Sequence, residues 1–240
     1  MRKNIAIIQA RMGSTRFPGK VLKDIAGKPA LWHLVENIRH SKLLTNIILA
    51  TTNHPADDAL EAFAKENAII CFRGDENNVL QRFYDAAKSV DAAPSDFVLR
   101  ITGDDIFMDP YIIDSMITFF ESTYPQYKLI SNSFKPGFPY GLYFEMFDFF
   151  SLEDAHTNAE TAFHKEHVTP YIRDNEAKFP AIAIESRGVD FSDVYLSIDT
   201  EDDLERNRTL IAYFESKNMR HPYAFSDVVA AYRKLGLKKV

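Results

Sequence analysis

Apolar runs and amphipathic stretches alternate along the first half of this chain, and that alternation constrains its fold more than any other feature. Ile5–Gln9, Ile47–Ala50, Ile69–Phe72 and Phe97–Ile101 are short apolar runs of the kind found in strands buried on both faces. Between them, Pro29–Lys42 places Leu31, Leu34, Val35 and Ile38 on one helical face. Pro55–Asn67 does the same with Leu60, Phe63 and Ala64, and Asn78–Val90 with Val79, Phe83 and Ala86. Pro55 suits a first helical turn, and Asp109-Pro110 caps and opens a further helix. This β-α-β-α order predicts an α/β fold with a parallel or mostly parallel sheet flanked by helices.

The second half is less regular. Leu129–Ser131, Leu142–Phe147, Ile182–Glu185 and Val194–Ile198 read as strands, and residues 151–175 as helical. Lys135-Pro-Gly-Phe-Pro is a loop signal. Thr200-Glu-Asp-Asp has capping-box spacing, with Asp203 in the acidic place, so a helix is expected from about Asp202. Ser226–Leu237 reads as a last helix. No linker, repeat or low-complexity segment interrupts the 240 residues. A single domain over 1–240, with an irregular insertion near 132–175, is the simplest expectation.

Composition narrows the function classes. With 46% hydrophobic residues the chain can bury a substantial core. A net charge of −6 argues against a nucleic-acid partner, which calls for a basic excess. One cysteine, Cys71, leaves no intrachain disulfide and fits a reducing compartment. The first apolar run, Ile5–Ile8, is short for a signal peptide and far short of the ~20 residues of a membrane span. A cytoplasmic protein with no membrane partner is expected.

In an acidic chain a local basic cluster is informative. Directly after the first apolar run, residues 11–28 hold Arg11, Arg16, Lys20, Lys23 and Lys28, opposed only by Asp24. Gly13, Gly19 and Gly27 lie among them. Glycine lets backbone approach an anion, arginine offers a two-pronged donor and lysine a movable charge. This is the composition of a phosphate-binding loop. It is not a P-loop: five residues separate Gly13 from Gly19, and Val21 stands where Ser or Thr would follow the lysine. It is not a dinucleotide fingerprint either, because no G-x-G-x-x-G follows the strand. The bland alternative is a solvated loop with idle charges.

Carboxylates stand at two other strand ends. Arg100-Ile-Thr-Gly-Asp-Asp closes the fourth strand, and ligands of open α/β sheets gather beyond such ends. Asp104 and Asp105 are therefore expected to face the same crevice as the basic loop. Asp199, at the end of Val194–Ile198, is a second candidate. Magnesium prefers oxygen ligands and takes one or two carboxylates beside water and phosphate. The competing readings are that Asp199 assists the cap on Thr200, that Asp105 is solvated, and that Asp109 serves only as a helix cap. No histidine or cysteine spacing points to zinc.

Together these segments resemble a known family. Ile8-Gln-Ala-Arg-Met-Gly-Ser-Thr-Arg-Phe-Pro-Gly-Lys-Val-Leu is similar to the opening motif of the cytidylyltransferases that include spore-coat polysaccharide biosynthesis proteins, relatives of the CMP-sialic acid and CMP-Kdo synthetases. Further matches follow in family order: Ala50-Thr-Thr-Asn, Phe72-Arg-Gly-Asp-Glu-Asn-Asn-Val-Leu-Gln-Arg-Phe, Arg100-Ile-Thr-Gly-Asp, Gly141-Leu-x-x-Glu, Glu166-His-Val-Thr-Pro-Tyr-Ile-Arg and Ile198-Asp-Thr-Glu-Asp-Asp-Leu. They span residues 5 to about 205.

The resemblance implies a three-layer α/β/α nucleotide-diphosphosugar-transferase fold, Rossmann-like, with a mostly parallel mixed sheet. It implies CTP and a sugar as substrates, a CMP-sugar and pyrophosphate as products, and magnesium as cofactor. Arg11, Lys20 and Asp104 take the catalytic places. Ala10, Met12, Gly13, Ser14 and Arg16 join them around the nucleotide, with Thr51, Arg73 and Arg100 from later motifs. Asp104 and Asp199 match metal ligands, and Glu145, His167 and Arg173 fall in the sugar region.

Three departures stand out. Asp105-Ile106 replaces a Cys-Pro-like pair, Tyr143 stands at an often acidic position, and Lys165 replaces an arginine. Two of the three lie in the sugar region, which leaves the acceptor open among nine-carbon acids, eight-carbon acids and neutral amino sugars. The aromatic-rich stretch Phe134–Phe150 reads as core, substrate pocket or the surface of a homodimer. Two rival functions share these residues: a metal-dependent glycosyltransferase using a finished nucleotide sugar, and a non-catalytic nucleotide-binding subunit.

Overall fold

The computed structural model describes residues 2–135, 137–186 and 188–239. Strand β1 (Asn4–Gln9) leads through the basic loop into a two-strand ribbon, β2 (Asp24–Ile25) and β3 (Lys28–Pro29), and then helix α1 (Ala30–Ile38). Next come β4 (Asn46–Thr52), α2 (Asp58–Glu66), β5 (Ile70–Gly74), α3 (Val79–Lys88), β6 (Phe97–Thr102) and α4 (Pro110–Thr123). The second half holds β7 (Leu129–Ser131), β8 (Glu145–Asp148), α5 (Phe149–Asn158), α6 (Ala162–His167) and α7 (Pro170–Asp174). It closes with β9 (Ala181–Ala183), α8 (Glu201–Ser216) and α9 (Phe225–Lys234).

The main sheet has seven strands in the order β5-β4-β1-β6-β8-β7-β9. β1 pairs in parallel with β4 and β6, and β4 with β5, while β8 runs antiparallel to both β6 and β7. The sheet is therefore mixed but mostly parallel, as expected. β1 shows why its apolar run is continuous. Ile5 and Ile7 pack into one core with Val79, Leu80 and Phe83 of α3 and Phe149 and Leu152 of α5. Ala6 and Ile8 pack into the other, with Leu31, Leu34 and Ile38 of α1, Leu60 and Phe63 of α2, and Ile117 and Phe120 of α4. Successive residues of a strand face opposite ways, so a strand covered on both sides carries no polar face.

The layering follows from connection handedness. The chain moves from β1 outward to β4 and β5, then jumps back to β6 on the far side of β1. Right-handed crossovers put the helices of the two directions on opposite faces. The reversal opens a crevice at the carboxyl ends of β1 and β6. A third core joins Phe107 and Leu142 to Val194, Leu196 and Ile198, and to Leu204, Leu210 and Phe214 of α8 and Tyr232 of α9.

The second half differs from expectation in two places. Val194–Ile198 forms no strand of the sheet; it runs extended, with one bridge between Tyr140 and Tyr195. Its backbone is committed elsewhere: Leu196 donates to the Tyr140 carbonyl at 2.7 Å and Ile198 to the Asp104 carbonyl at 3.2 Å. Residues 151–175 are mostly helical as read, divided among three helices. Thr161 caps α6 and Pro170 opens α7, so each break has a local cause. β8 starts at Glu145, not Leu142. In the Lys135–Pro139 loop, Pro136 lies outside the described residues. The capping box at Thr200 and Asp203 is present as read.

Candidate active site

The ends of β1 and β6 are held together closely. Gly103 donates its N–H to the Gln9 carbonyl at 2.9 Å. A Cβ at Gly103 would lie 2.9 Å from the Ala10 Cβ, so only glycine lets the two strand ends meet here. The loop leaving β1 is pinned from below by Asp57, a buried carboxylate that accepts from the Met12 N–H at 2.7 Å, from the Thr52 N–H at 3.1 Å and from the Thr52 hydroxyl. Burial alone would raise the Asp57 carboxyl, but these donors outweigh it and hold it below the usual carboxylate range.

Above that pin lies a cleft of about 770 Å³. Ala10, Arg11, Ser14, Arg16 and Lys20 line it from the basic loop, Arg100 and Asp104 from β6 and its exit. A second compartment of about 490 Å³ adjoins it, lined by Tyr140, Tyr143, Phe144, Glu145, Thr169, Arg173 and Asp199 among others. Arg16, Lys20, Arg100, Thr102, Asp104 and His167 border both spaces.

Lys20 is the centre of the shared wall. Its ammonium bonds Asp104 and reaches Asp199 Oδ1 at 3.0 Å. Arg16 donates to the same Asp199 oxygen at 2.9 Å, and the Tyr195 hydroxyl donates to Asp199 Oδ2 at 2.9 Å. Burial works against the Lys20 charge; the two carboxylates outweigh it and hold the ammonium above the usual lysine range. Burial likewise works against the Asp199 carboxylate, and Lys20, Tyr195 and Arg16 outweigh it and pull Asp199 below its usual range. Asp199 therefore does more than serve the neighbouring cap, which Thr200 and Asp203 complete between themselves.

Asp105 is not solvated. It is buried and accepts from the Thr102 hydroxyl. Burial, with the Asp104 carboxylate beside it, pushes its carboxyl up to about 7. Asp109 is the cap it looks like, accepting from the Tyr111 and Ile112 N–H groups at 2.6 and 3.2 Å.

The donor set can be tested against a metal. Among the described residues no group of three or more His, Cys, Asp or Glu side chains is arranged around one point. Asp104 and Asp199 do converge on a single cation, the Lys20 ammonium. Two carboxylates without a third protein ligand suit an ion that completes its shell with water and phosphate oxygens.

The acceptor-side wall is built differently. Glu145 is buried, bound to Arg100 at 2.9 Å and to the Thr169 hydroxyl at 2.9 Å. Arg100 also donates to the Gln9 side chain at 3.1 Å, so Arg100 and Glu145 tie β1, β6 and β8 into one floor. Arg173 projects from α7, its guanidinium 5.7 Å from the Phe134 ring, and has no carboxylate partner among the described residues. His167 packs edge-on against Phe163 at 4.7 Å. Gly141 has φ +96°, and a Cβ there would fall 2.3 Å from the Ser197 nitrogen; glycine thus lets the Tyr140–Leu142 segment lie against Leu196 and Ser197. Of the stretch Phe134–Phe150, Phe144, Phe147 and Phe149 are core, and Tyr140 and Tyr143 line the compartment.

Some residues singled out from the sequence stand apart from the cleft. Thr51, on β4, is fully buried and lines neither space. Arg73 turns outward, where Asp58 and Glu61 bind its guanidinium at 2.6 and 2.8 Å and the Thr52 and His54 carbonyls take its remaining donors. A helix start one layer out recruited that arginine, which a strand-end position alone does not reveal. Met12, held through its N–H by Asp57, and the exposed Gly13 line neither space. Conversely, Arg82, Asn77 and Asn78 line the first cleft without having been named as site residues, and Lys165, expected in the sugar region, lines that cleft too and not the second compartment. The basic residue late in Phe72–Phe83 was the available signal for Arg82.

Several known proteins resemble this chain. Spore coat polysaccharide biosynthesis protein SpsF of Bacillus subtilis is 35% identical over 216 residues, 88% of this chain and 87% of that protein. An 8-amino-3,8-dideoxy-manno-octulosonate cytidylyltransferase of Shewanella piezotolerans is 36% identical over 115 residues, 48% of this chain and 46% of that protein. A cytidylyltransferase from Leptospira borgpetersenii superposes with a TM-score of 0.91 at 31% identity, covering 98% of this chain and 96% of that one. The sequence model of the cytidylyltransferase family matches residues 5–231, and the chain belongs to that family of nucleotidyltransferases.

Proposed function

We propose that the protein transfers a cytidylyl group from CTP to a hydroxyl of an acidic sugar, with magnesium held by Asp104 and Asp199. The observation that carries this reading is the pair of adjoining compartments that share Lys20 and Asp104 at their common wall. The triphosphate lies along the basic loop in the first compartment, and the sugar enters the second. The sugar oxygen forms a bond to the α-phosphorus, the bond from that phosphorus to the bridging oxygen breaks, and pyrophosphate leaves as the hydroxyl proton is released.

Lys20 and Arg16 neutralise charge where the compartments meet, and Arg11 extends that field along the first. Such transfer depends mainly on positioning and electrostatics. When bound, magnesium polarises the α-phosphate and lowers the pKa of the attacking hydroxyl. Asp104 and Asp199, already drawn onto one cation, exchange the Lys20 ammonium for it and release Lys20 to phosphate.

An acidic acceptor is supported by Arg173, a guanidinium without a carboxylate partner on the wall of the second compartment. The partial likeness to an octulosonate cytidylyltransferase points the same way.

The test is pyrophosphate release with CTP, UTP, GTP and ATP across a panel of eight- and nine-carbon keto acids and neutral amino sugars. CTP with a keto acid is the expected pair. Release of a nucleoside diphosphate from a nucleotide sugar would instead mark a glycosyltransferase, and triphosphate binding without turnover a non-catalytic subunit. Asp104→Asn is expected to lower metal-dependent release by about 1000-fold. Wild-type release from that variant would remove Asp104 from the metal site.

A further inference from the structure

Arg82 has an unusual environment for an arginine. It projects from the first turns of α3 into the nucleotide-side cleft and is 97% buried, with 3% of its surface exposed. One terminal nitrogen donates to the Asp75 carbonyl at 2.6 Å and, more weakly, to the Glu76 carbonyl at 3.5 Å. Nε is buried with no partner at all, and no carboxylate lies within ion-pair distance among the described residues. A buried guanidinium normally binds a carboxylate, because desolvation without one is costly. Burial, followed by repulsion from Arg11, depresses Arg82 to about 10. Arg11 in turn is only loosely held, by an exposed Glu76 at 3.0 Å. Two guanidinium groups thus face one region of the cleft, and neither is bonded to a buried anion among the described residues.

The position of that region matters as much as its charge. Arg11 and Arg82 line the first compartment and not the second, whereas Lys20, Arg16 and Asp104 border both. In phosphoryl transfer the attacking and leaving oxygens stand roughly in line through phosphorus. With the acceptor in the second compartment, the leaving group belongs on the opposite side of the shared wall. That side is where Arg11 and Arg82 converge.

We propose that Arg82, with Arg11, grips the β- and γ-phosphates of the bound triphosphate and therefore the departing pyrophosphate. This assignment rests on the reading of the cleft as a CTP site. It supplies the anion that the buried Arg82 lacks. It also makes α3 a sensor of the leaving group, because Arg82 is fixed on that helix while Lys20 serves the α-phosphate.

The test is direct binding of inorganic pyrophosphate, CTP and CMP to the intact protein, wild type beside R82M and R82K, by calorimetry. R82M keeps the buried stem and removes the charge. It is expected to weaken pyrophosphate and CTP by about 10- to 100-fold, the scale of a charged hydrogen bond, and to leave CMP within about two-fold. R82K keeps the charge without the fork and is expected to fall between the two; it carries the comparison should R82M fail to fold. Unchanged pyrophosphate and CTP affinity in either variant would overturn the assignment. So would an equal loss for CMP, which would make Arg82 a reader of the nucleoside or a prop of the fold. Failure of the wild type to bind CTP at all would instead strike the CTP reading itself.

Discussion

The two halves of the cleft are made in different ways. The nucleotide side is backbone architecture: two parallel strand ends meet at Gly103, the loop is pinned by Asp57, and charges on Arg16 and Lys20 are set against Asp104 and Asp199. The acceptor side is side-chain architecture, hung on two short helices, a β8 edge and an extended segment that never joins the sheet. Its ionic floor, Arg100 and Glu145, is already paired, and Arg173, without a carboxylate partner among the described residues, stands on a five-residue helix. Strand ends offer few places for change without loss of the sheet. Short helices and aromatic walls tolerate it; of the three departures from the family pattern, Tyr143 lines the second compartment, whereas Lys165, on the short helix α6, lines the first and not the second.

That contrast can be broken at several points. The largest effect is expected at Gly141. Gly141→Ala sets a Cβ against the Ser197 nitrogen in a left-handed backbone, and should cost on the order of 3 kcal/mol in urea unfolding. A loss below ~1 kcal/mol would mean that the acceptor wall yields more easily than the contact implies.

Arg173→Met should raise KM for an acidic acceptor about ten-fold while leaving the affinity for CTP unchanged. A rise in the CTP constant instead would merge the two compartments functionally.

Asp57→Asn replaces an acceptor of three donors by a group that must turn an N–H toward one of them. It should cost about 1 kcal/mol at pH 7 and loosen the basic loop. The pH dependence has a defined sign. The folded Asp57 carboxyl lies below its unfolded value of about 3.9, so its contribution is present above that value and is lost as pH falls through the folded one. The gap in unfolding midpoint between wild type and variant should therefore narrow progressively as pH falls below about 3.9. A gap that does not narrow there would contradict the pinning role.

The smallest effect is expected at Arg73. Its outward ion pairs with Asp58 and Glu61 predict that Arg73→Ala leaves CTP affinity within about two-fold. A larger loss would bring that arginine back to the nucleotide.

Legibility in the sequence follows the same division. Strands β1, β4 and β6 were readable because both faces are largely buried and their apolar runs are continuous, and the edge strand β5, only partly buried, was readable from its short apolar run alone. Asp104 was readable because it follows such a strand end directly. The caps at Asp109 and Thr200 were readable because capping is local. Val194–Ile198 misled, since an apolar run packed against α8 and α9 looks like a strand while its backbone is bonded to Tyr140 and Asp104. Arg73 and Arg82 show the limit most clearly. Both are basic residues in one family motif, and nothing local says which turns outward to Asp58 and which is buried in the cleft.

By itself, then, the sequence determined the sheet, the helices that flank it, the basic loop and the identity of the family, because period, capping and motif order are properties of the chain. Only the tertiary structure decided that Asp199 meets Asp104 across 95 residues on the Lys20 ammonium, and that Asp57 holds the loop beneath them. Those contacts join segments far apart in the chain, so their geometry exists only once the sheet has brought the strand ends together.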